Sequence, residues 1–108
     1  MNTQSELRHY QQWVLEITPA QADPWPRVTD SRGREFQPRR LMLSTRSGDR
    51  CRGGHLIGVT IRADGTEGKR PHGTHVLPPW AAELLEREMA THHLTREYLA
   101  SQGVEVAF

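Results

Sequence analysis

Two short apolar stretches constrain this chain more than anything else in it: Leu41-Met42-Leu43-Ser44-Thr45 and His55-Leu56-Ile57-Gly58-Val59-Thr60-Ile61-Arg62. Both are rich in residues that suit a pleated surface, and both are too short for a stable helix. Nine residues separate them, including Gly48, Gly53, Gly54 and three arginines, while Asp64-Gly65 closes the second with a turn signal. They read as neighbouring antiparallel strands. Sorting side chains at period two places Leu41, Leu43 and Thr45 with Ile57, Val59, Ile61 and Ala63 on an oily face. Arg40, Met42, Ser44 and Arg46 fall on the other face with Leu56, Gly58, Thr60 and Arg62. A sheet packed on one side and wet on the other is the expectation.

The cover for the packed side lies downstream. Pro78-Pro79 opens Trp80-Ala81-Ala82-Glu83-Leu84-Leu85-Glu86-Arg87-Glu88-Met89-Ala90, and a proline at the start of a helix is tolerated because the first amides have no intrahelical acceptor. Ala81, Leu84, Leu85 and Met89 form one stripe at helical spacing, extended by His92. Thr95 caps a second short helix from Arg96 to Gln102, ended by Gly103. Val104, Val106 and Phe108 then alternate like an edge strand.

Upstream, Leu7, Tyr10, Val14 and Ile17 suit an amphipathic helix, whereas Trp13, Leu15 and Ile17 alternate as in a strand. The expectation is a short helix to about Gln11 followed by a strand from Gln12 to Thr18. Pro19, Pro24 and Pro26 make 19–26 a loop, with Trp25 plugging the edge of the core. Val28-Thr29-Asp30 and Arg34-Glu35-Phe36 read as a hairpin with Gly33 at a positive φ. Residues 64–76, polar and rich in glycine, read as an exposed loop.

The expected architecture is therefore α+β: a small antiparallel sheet of three to five strands with one face covered by a C-terminal helix. The 108 residues suit a single domain, 1–108. It divides into an N-terminal helix/strand segment (1–18), the sheet (27–63), an exposed loop (64–78), a helical segment (79–103) and the edge strand (104–108). No apolar run approaches the roughly 18 residues of a membrane span. Met1 to Glu6 has neither the basic start nor the apolar core of a signal peptide, and the single cysteine, Cys51, offers no internal disulfide. A cytoplasmic location is expected.

The net charge of +1 conceals a separation. From Arg32 to Arg70 ten cations face four acids; from Glu83 to Phe108 five acids face two arginines. Thirteen of the fourteen cations are arginine, which a GC-rich gene also produces but which suits two-point grip on phosphate or carboxylate. Arginines on a flat strand surface, with glycines admitting a close backbone, suit a phosphate chain. The candidate polyanion-binding residues are Arg32, Arg34, Arg39, Arg40, Arg46, Arg50, Arg52, Arg62, Lys69 and Arg70.

Histidine is the second candidate. His72 and His75, beside Arg70, could serve as acid and base in RNA cleavage, and His72, His75 and Cys51 or His92 could meet zinc. His92-His93 marks a slip in the helical phase. No paired-cysteine knuckle, phosphate-binding glycine loop or nucleophile elbow occurs in the sequence. Cys51, flanked by Arg50 and Arg52, would have a lowered pKa if exposed. The expectation is a non-enzymatic binding protein for nucleic acid, with no catalytic residue, metal or cofactor. Its competitors are a module docking an acidic protein surface, self-pairing through the 104–108 edge, and a small ribonuclease.

Overall fold

The computed structural model describes residues 2–9, 12–46 and 48–108. The chain is α+β. Six antiparallel strands form one sheet: β1 (Thr3–His9), β2 (Trp13–Pro19), β3 (Val28–Thr29), β4 (Glu35–Ser44), β5 (His55–Ile61) and β6 (Glu67–Thr74). Helix α1 (Pro79–Thr91) and the short α2 (Arg96–Ser101) follow, and a 3-10 turn, Arg50–Gly53, links β4 to β5. The order across the sheet is β1-β2-β4-β5-β6, with the two-residue β3 paired to the start of β4. No helix among the described residues is long and apolar enough to cross a membrane.

The registers settle which side chains share a face. Leu7 lies opposite Leu15, Leu15 opposite Leu43, Ile17 opposite Leu41, and Leu41 opposite Leu56. These residues build the covered face with Phe36, against Ala81, Leu84, Leu85 and Met89 of α1 and Leu94 and Leu99 beyond it. The helical stripe read from the sequence is thus the buried one. Trp25 is also buried, its ring 5.6 Å from that of Trp80 in the first turn of α1, so the proline-rich loop does seal one end of the core.

The sheet has more strands than the sequence suggests, and four segments differ from expectation. Residues 3–9 are a strand, not a helix; Tyr10 and Gln11 lie outside the described residues. Leu7 is satisfied at period two because Leu15 and the core flank it, so strand pairing overrides a helical spacing made of few residues. Residues 67–74 form β6 where composition indicates a loop. Pro71 lacks an N–H, which an edge strand tolerates, and Gly68 and Gly73 lie where a Cβ would strike Thr60 Oγ1 at 2.3 Å and His55 Nε2 at 2.6 Å. The third difference is phase. Arg40 pairs with Ile57 and Leu41 with Leu56, so Leu56 turns inward while Ile57 and Val59 turn outward, the reverse of the sequence assignment for β5.

The fourth is the C-terminus. Residues 104–108 form no strand. Val106 is 8% exposed, and the tail is clasped by side chains: Arg96 donates to the Val106 and Phe108 carbonyls and Arg52 Nε to that of Glu105. The Arg96 guanidinium also lies 4.2 Å from the centre of the Phe108 ring. The expected edge strand at 104–108 is thus replaced by an irregular tail tied down by side chains.

Candidate polyanion-binding face

The face of the sheet turned away from α1 carries Glu16 and Val14 of β2, Arg40 and Met42 of β4, His55, Ile57 and Val59 of β5, and Pro71 and Gly73 of β6, as the pairings require. Its centre is aliphatic and half-buried; its margin is charged. The register of β4 shifts between Pro38 and Arg40, leaving Arg39 as an extra residue. A bulge re-aims side chains locally. Here Arg39 and Arg40 both border one shallow depression of about 220 Å³, together with Ile57, Gly58, Val59, Lys69 and Pro71.

The cations on this face are partly engaged. Arg8 Nη2 stands 2.9 Å from Glu16 Oε2, and Arg40 Nη1 stands 4.0 Å from the other oxygen of the same carboxylate. Arg39 pairs with Glu67 on β6. The arginines are well exposed, though Glu16 is half-buried, and ion pairs with an exposed partner contribute at most about 1 kcal/mol, so an incoming phosphate can compete for the guanidiniums. Among the described residues, no carboxylate lies within 4.0 Å of Arg46, Arg50, Lys69 or Arg70.

The ten sequence-selected cations do not form one surface. Arg39, Arg40 and Lys69 converge on the depression. Arg40 and Arg50 both act on His55, at the end of the face where β4 leads into the 3-10 turn. Arg46 follows β4 at the same end and is exposed. Arg32 and Arg34 lie instead on the β3–β4 hairpin, and Arg34 pairs with Asp30 at 3.5 Å. Arg62 sits at the β5–β6 turn, donating to Thr66 Oγ1. Arg52 is committed to the C-terminal tail, and Arg70 is an exposed residue of β6. Strand order and turn placement, which spacing alone does not reveal, divide the set.

The histidines are separated as well. His72 belongs to the covered side: its Nε2 lies 2.7 Å from Asp30 Oδ2 and its ring meets Phe36 edge-on at 5.2 Å. His75 stacks on His55 at 4.2 Å between ring centres, on the open side. His72 and His75 therefore lie on opposite sides of β6 and are not brought together. Among the described residues no group of three or more His, Cys, Asp or Glu side chains is placed to hold a metal ion.

Three arrangements have no signal in the sequence, because their members are far apart along the chain. Asp30 Oδ1 accepts from the N–H groups of Arg32 and Arg34 while Oδ2 meets His72, tying the hairpin turn to β6. The N–H of Arg34, above all, holds the Asp30 carboxyl below its ordinary range; His72 and the Arg32 N–H add to this, and burial opposes it. Ser5 of β1 bridges Glu88 (2.7 Å) and His92 (2.8 Å) at the end of α1. The serine hydroxyl has one proton, which goes to the carboxylate, so His92 Nε2 is the donor to Ser5. That order is a clasp between sheet edge and helix; a nucleophilic serine needs the imidazole as acceptor. The third arrangement is the stacked pair His55–His75.

Cys51 is half-buried, so the condition for a lowered pKa is not met. Burial, then the neighbouring Asp49 carboxylate, pushes its thiol up, outweighing Arg40. Asp49 caps the 3-10 turn by accepting from the Cys51 N–H at 3.2 Å, and this bond chiefly holds its carboxyl low. A larger hollow, about 520 Å³, lies between α2 and the tail, but its cation Arg96 already serves Glu86, the tail carbonyls and the Phe108 ring.

The open face carries Arg8, Arg39, Arg40 and Lys69, with Glu16 and Glu67 paired among them and Arg50 at its end, while Glu83, Glu86, Glu97 and Arg87 are exposed on the helices of the opposite layer. Comparison with protein-family models, curated proteins and solved structures finds no match for this chain.

Proposed function

We propose that this is a small non-enzymatic binding protein whose open sheet face contacts a polyanion, nucleic acid in the first instance. One observation carries the reading: the sheet face left uncovered by the helices gathers Arg39, Arg40 and Lys69 around a single depression, and Arg50 of the 3-10 turn stands near His55 at the end of that face. Phosphate contacts of this kind fix a chain in register and release counterions. Arg32, Arg34, Arg52 and Arg62 have no part in this smaller site. The reading places the protein in a reducing cytoplasm, consistent with the half-buried free thiol of Cys51.

A second reading has its own support. Met42, Ile57 and Val59 give the centre of the face an aliphatic character that phosphates do not use. Methionine, arginine and aliphatic surface together also suit a protein partner with an acidic rim.

Anisotropy titrations with labelled single-stranded and duplex oligonucleotides at several salt concentrations separate the two. Nucleic-acid contact gives an affinity that falls steeply and linearly on a log–log plot, and Arg40→Ala or Lys69→Ala each lowers the slope by about 1. Undetectable binding at low salt, or binding indifferent to salt, overturns the nucleic-acid reading.

A further inference from the structure

His55 opens β5 opposite Met42, so its ring lies on the open face. It rests over Gly73 of β6, where a Cβ would come within 2.6 Å of His55 Nε2 and 2.8 Å of the Leu56 carbonyl oxygen. Only glycine leaves room for the imidazole to lie against the strand. His75, two residues on, then stacks on it with the rings 18° from parallel. Arg40 of β4 and Arg50 of the 3-10 turn act on the same ring, and the Asp49 carboxylate opposes them there. That carboxylate already accepts the Cys51 N–H.

Arg40 and Arg50 thus stand near two stacked imidazoles at one corner, where Asp49 lies beside His55 and the Glu16 carboxylate is 4.0 Å from Arg40. We propose that this corner is a phosphate-binding site, and that a phosphate seated between Arg40, Arg50, His55 and His75 is bound together with a proton taken up by His55. Without an anion, burial of His55 above all, then the nearness of His75, Arg50 and Arg40, pushes its imidazole below the ordinary value, against the weaker pull of Asp49. A phosphate reverses the balance, because its negative charge stabilises the imidazolium. Linkage fixes the sign: a ligand that favours the protonated form binds more tightly as pH falls. The change is about tenfold for each unit by which the bound anion raises the imidazole midpoint.

The inference rests on the reading of the open face as a polyanion site, but its local part is separable. Histidine ring-proton NMR titrations of the full chain, with and without tripolyphosphate, read the corner directly. Oligonucleotide anisotropy at pH 6 and pH 8 reads the face.

The expected result is that tripolyphosphate raises the His55 midpoint selectively and that oligonucleotide affinity rises about tenfold from pH 8 to pH 6. His75→Gln removes one ring of the site and should lower both the oligonucleotide affinity and its pH dependence. Gly73→Ala, with folding verified by circular dichroism, should abolish the selective His55 response. A His55 midpoint that does not move, or moves only as all six histidines move, overturns the inference. If the oligonucleotide also binds with no pH dependence, the polyanion face survives and only the proton-linked corner is lost. Selective movement of His55 without oligonucleotide binding at either pH upholds the corner as a phosphate site and removes the nucleic-acid reading.

Discussion

At the scale of single residues, the most constrained position is Gly58. A Cβ there would lie 1.8 Å from the Gln37 carbonyl oxygen and 2.8 Å from the Pro38 Cα, both backbone atoms with nowhere to go. Gly58→Ala should therefore cost about 3 kcal/mol, the upper end of what overpacking usually costs, as measured by denaturant unfolding. Asp30 makes a different prediction. Its carboxyl is held below its ordinary value, so its contribution to stability is complete above that value and is lost as pH falls through the lower folded one. Asp30→Asn should lower the thermal midpoint near neutral pH and flatten the acid side of the stability profile. An unchanged acid limb would show that the Asp30–His72 tie does not hold the hairpin. The sequence marks Gly33 and Gly103 correctly, and both have positive φ. Gly58 and Gly73 are not marked, because their need for hydrogen comes from neighbouring strands.

At the scale of elements, the two helices end in the same way with different residues. After α1, Leu94 N donates to the Met89 carbonyl and His93 N to that of Ala90; after α2, Val104 N donates to Leu99 and Gly103 N to Ala100. Both are Schellman closures. The left-handed residue is Gly103 in one (φ 78°) and His93 in the other (φ 57°). A side chain in that region is strained by about 1 kcal/mol, so His93→Gly should stabilise the fold by up to that amount and Gly103→Ala should destabilise it comparably. Equal and negligible effects in thermal melts would contradict the closure as described. Thr95, which accepts from the Tyr98 N–H at 3.1 Å, should be worth about 1 kcal/mol against alanine.

These helix signals are local, which is why α1, the Thr95 cap and the Gly103 stop were legible in the sequence. The phase of β5 was not. Leu56-Ile57 begins a nearly continuous apolar run, and such a run fits either face until its partners are known. In β4 the alternation of Arg40, Leu41, Met42 and Leu43 is unambiguous, and its assignment holds. β6 was hidden by Gly68, Pro71 and Gly73, residues that ordinarily interrupt strands but here serve an edge strand under two packed side chains.

At the scale of the whole molecule, the helices cover one face of the sheet and leave the other open. The α+β class and the covered face followed from the helical stripe and the strand runs. The site was legible only in part. Arg39, Arg40 and Lys69 share the open face, whereas the hairpin, the β5–β6 turn and the tail take Arg32, Arg34, Arg62 and Arg52 elsewhere. The aliphatic centre of that face, Met42, Ile57 and Val59, emerges only from the strand register.

The central claim is that the uncovered sheet face is the docking surface. Amide and side-chain chemical-shift mapping with a short oligonucleotide at low salt tests it most directly. The account predicts perturbations gathered on Arg39, Arg40, His55, Ile57, Val59, Lys69 and His75, with α1 and the 28–36 hairpin silent. Shifts centred on the helices or that hairpin, or none at a saturating concentration of the oligonucleotide, would contradict it.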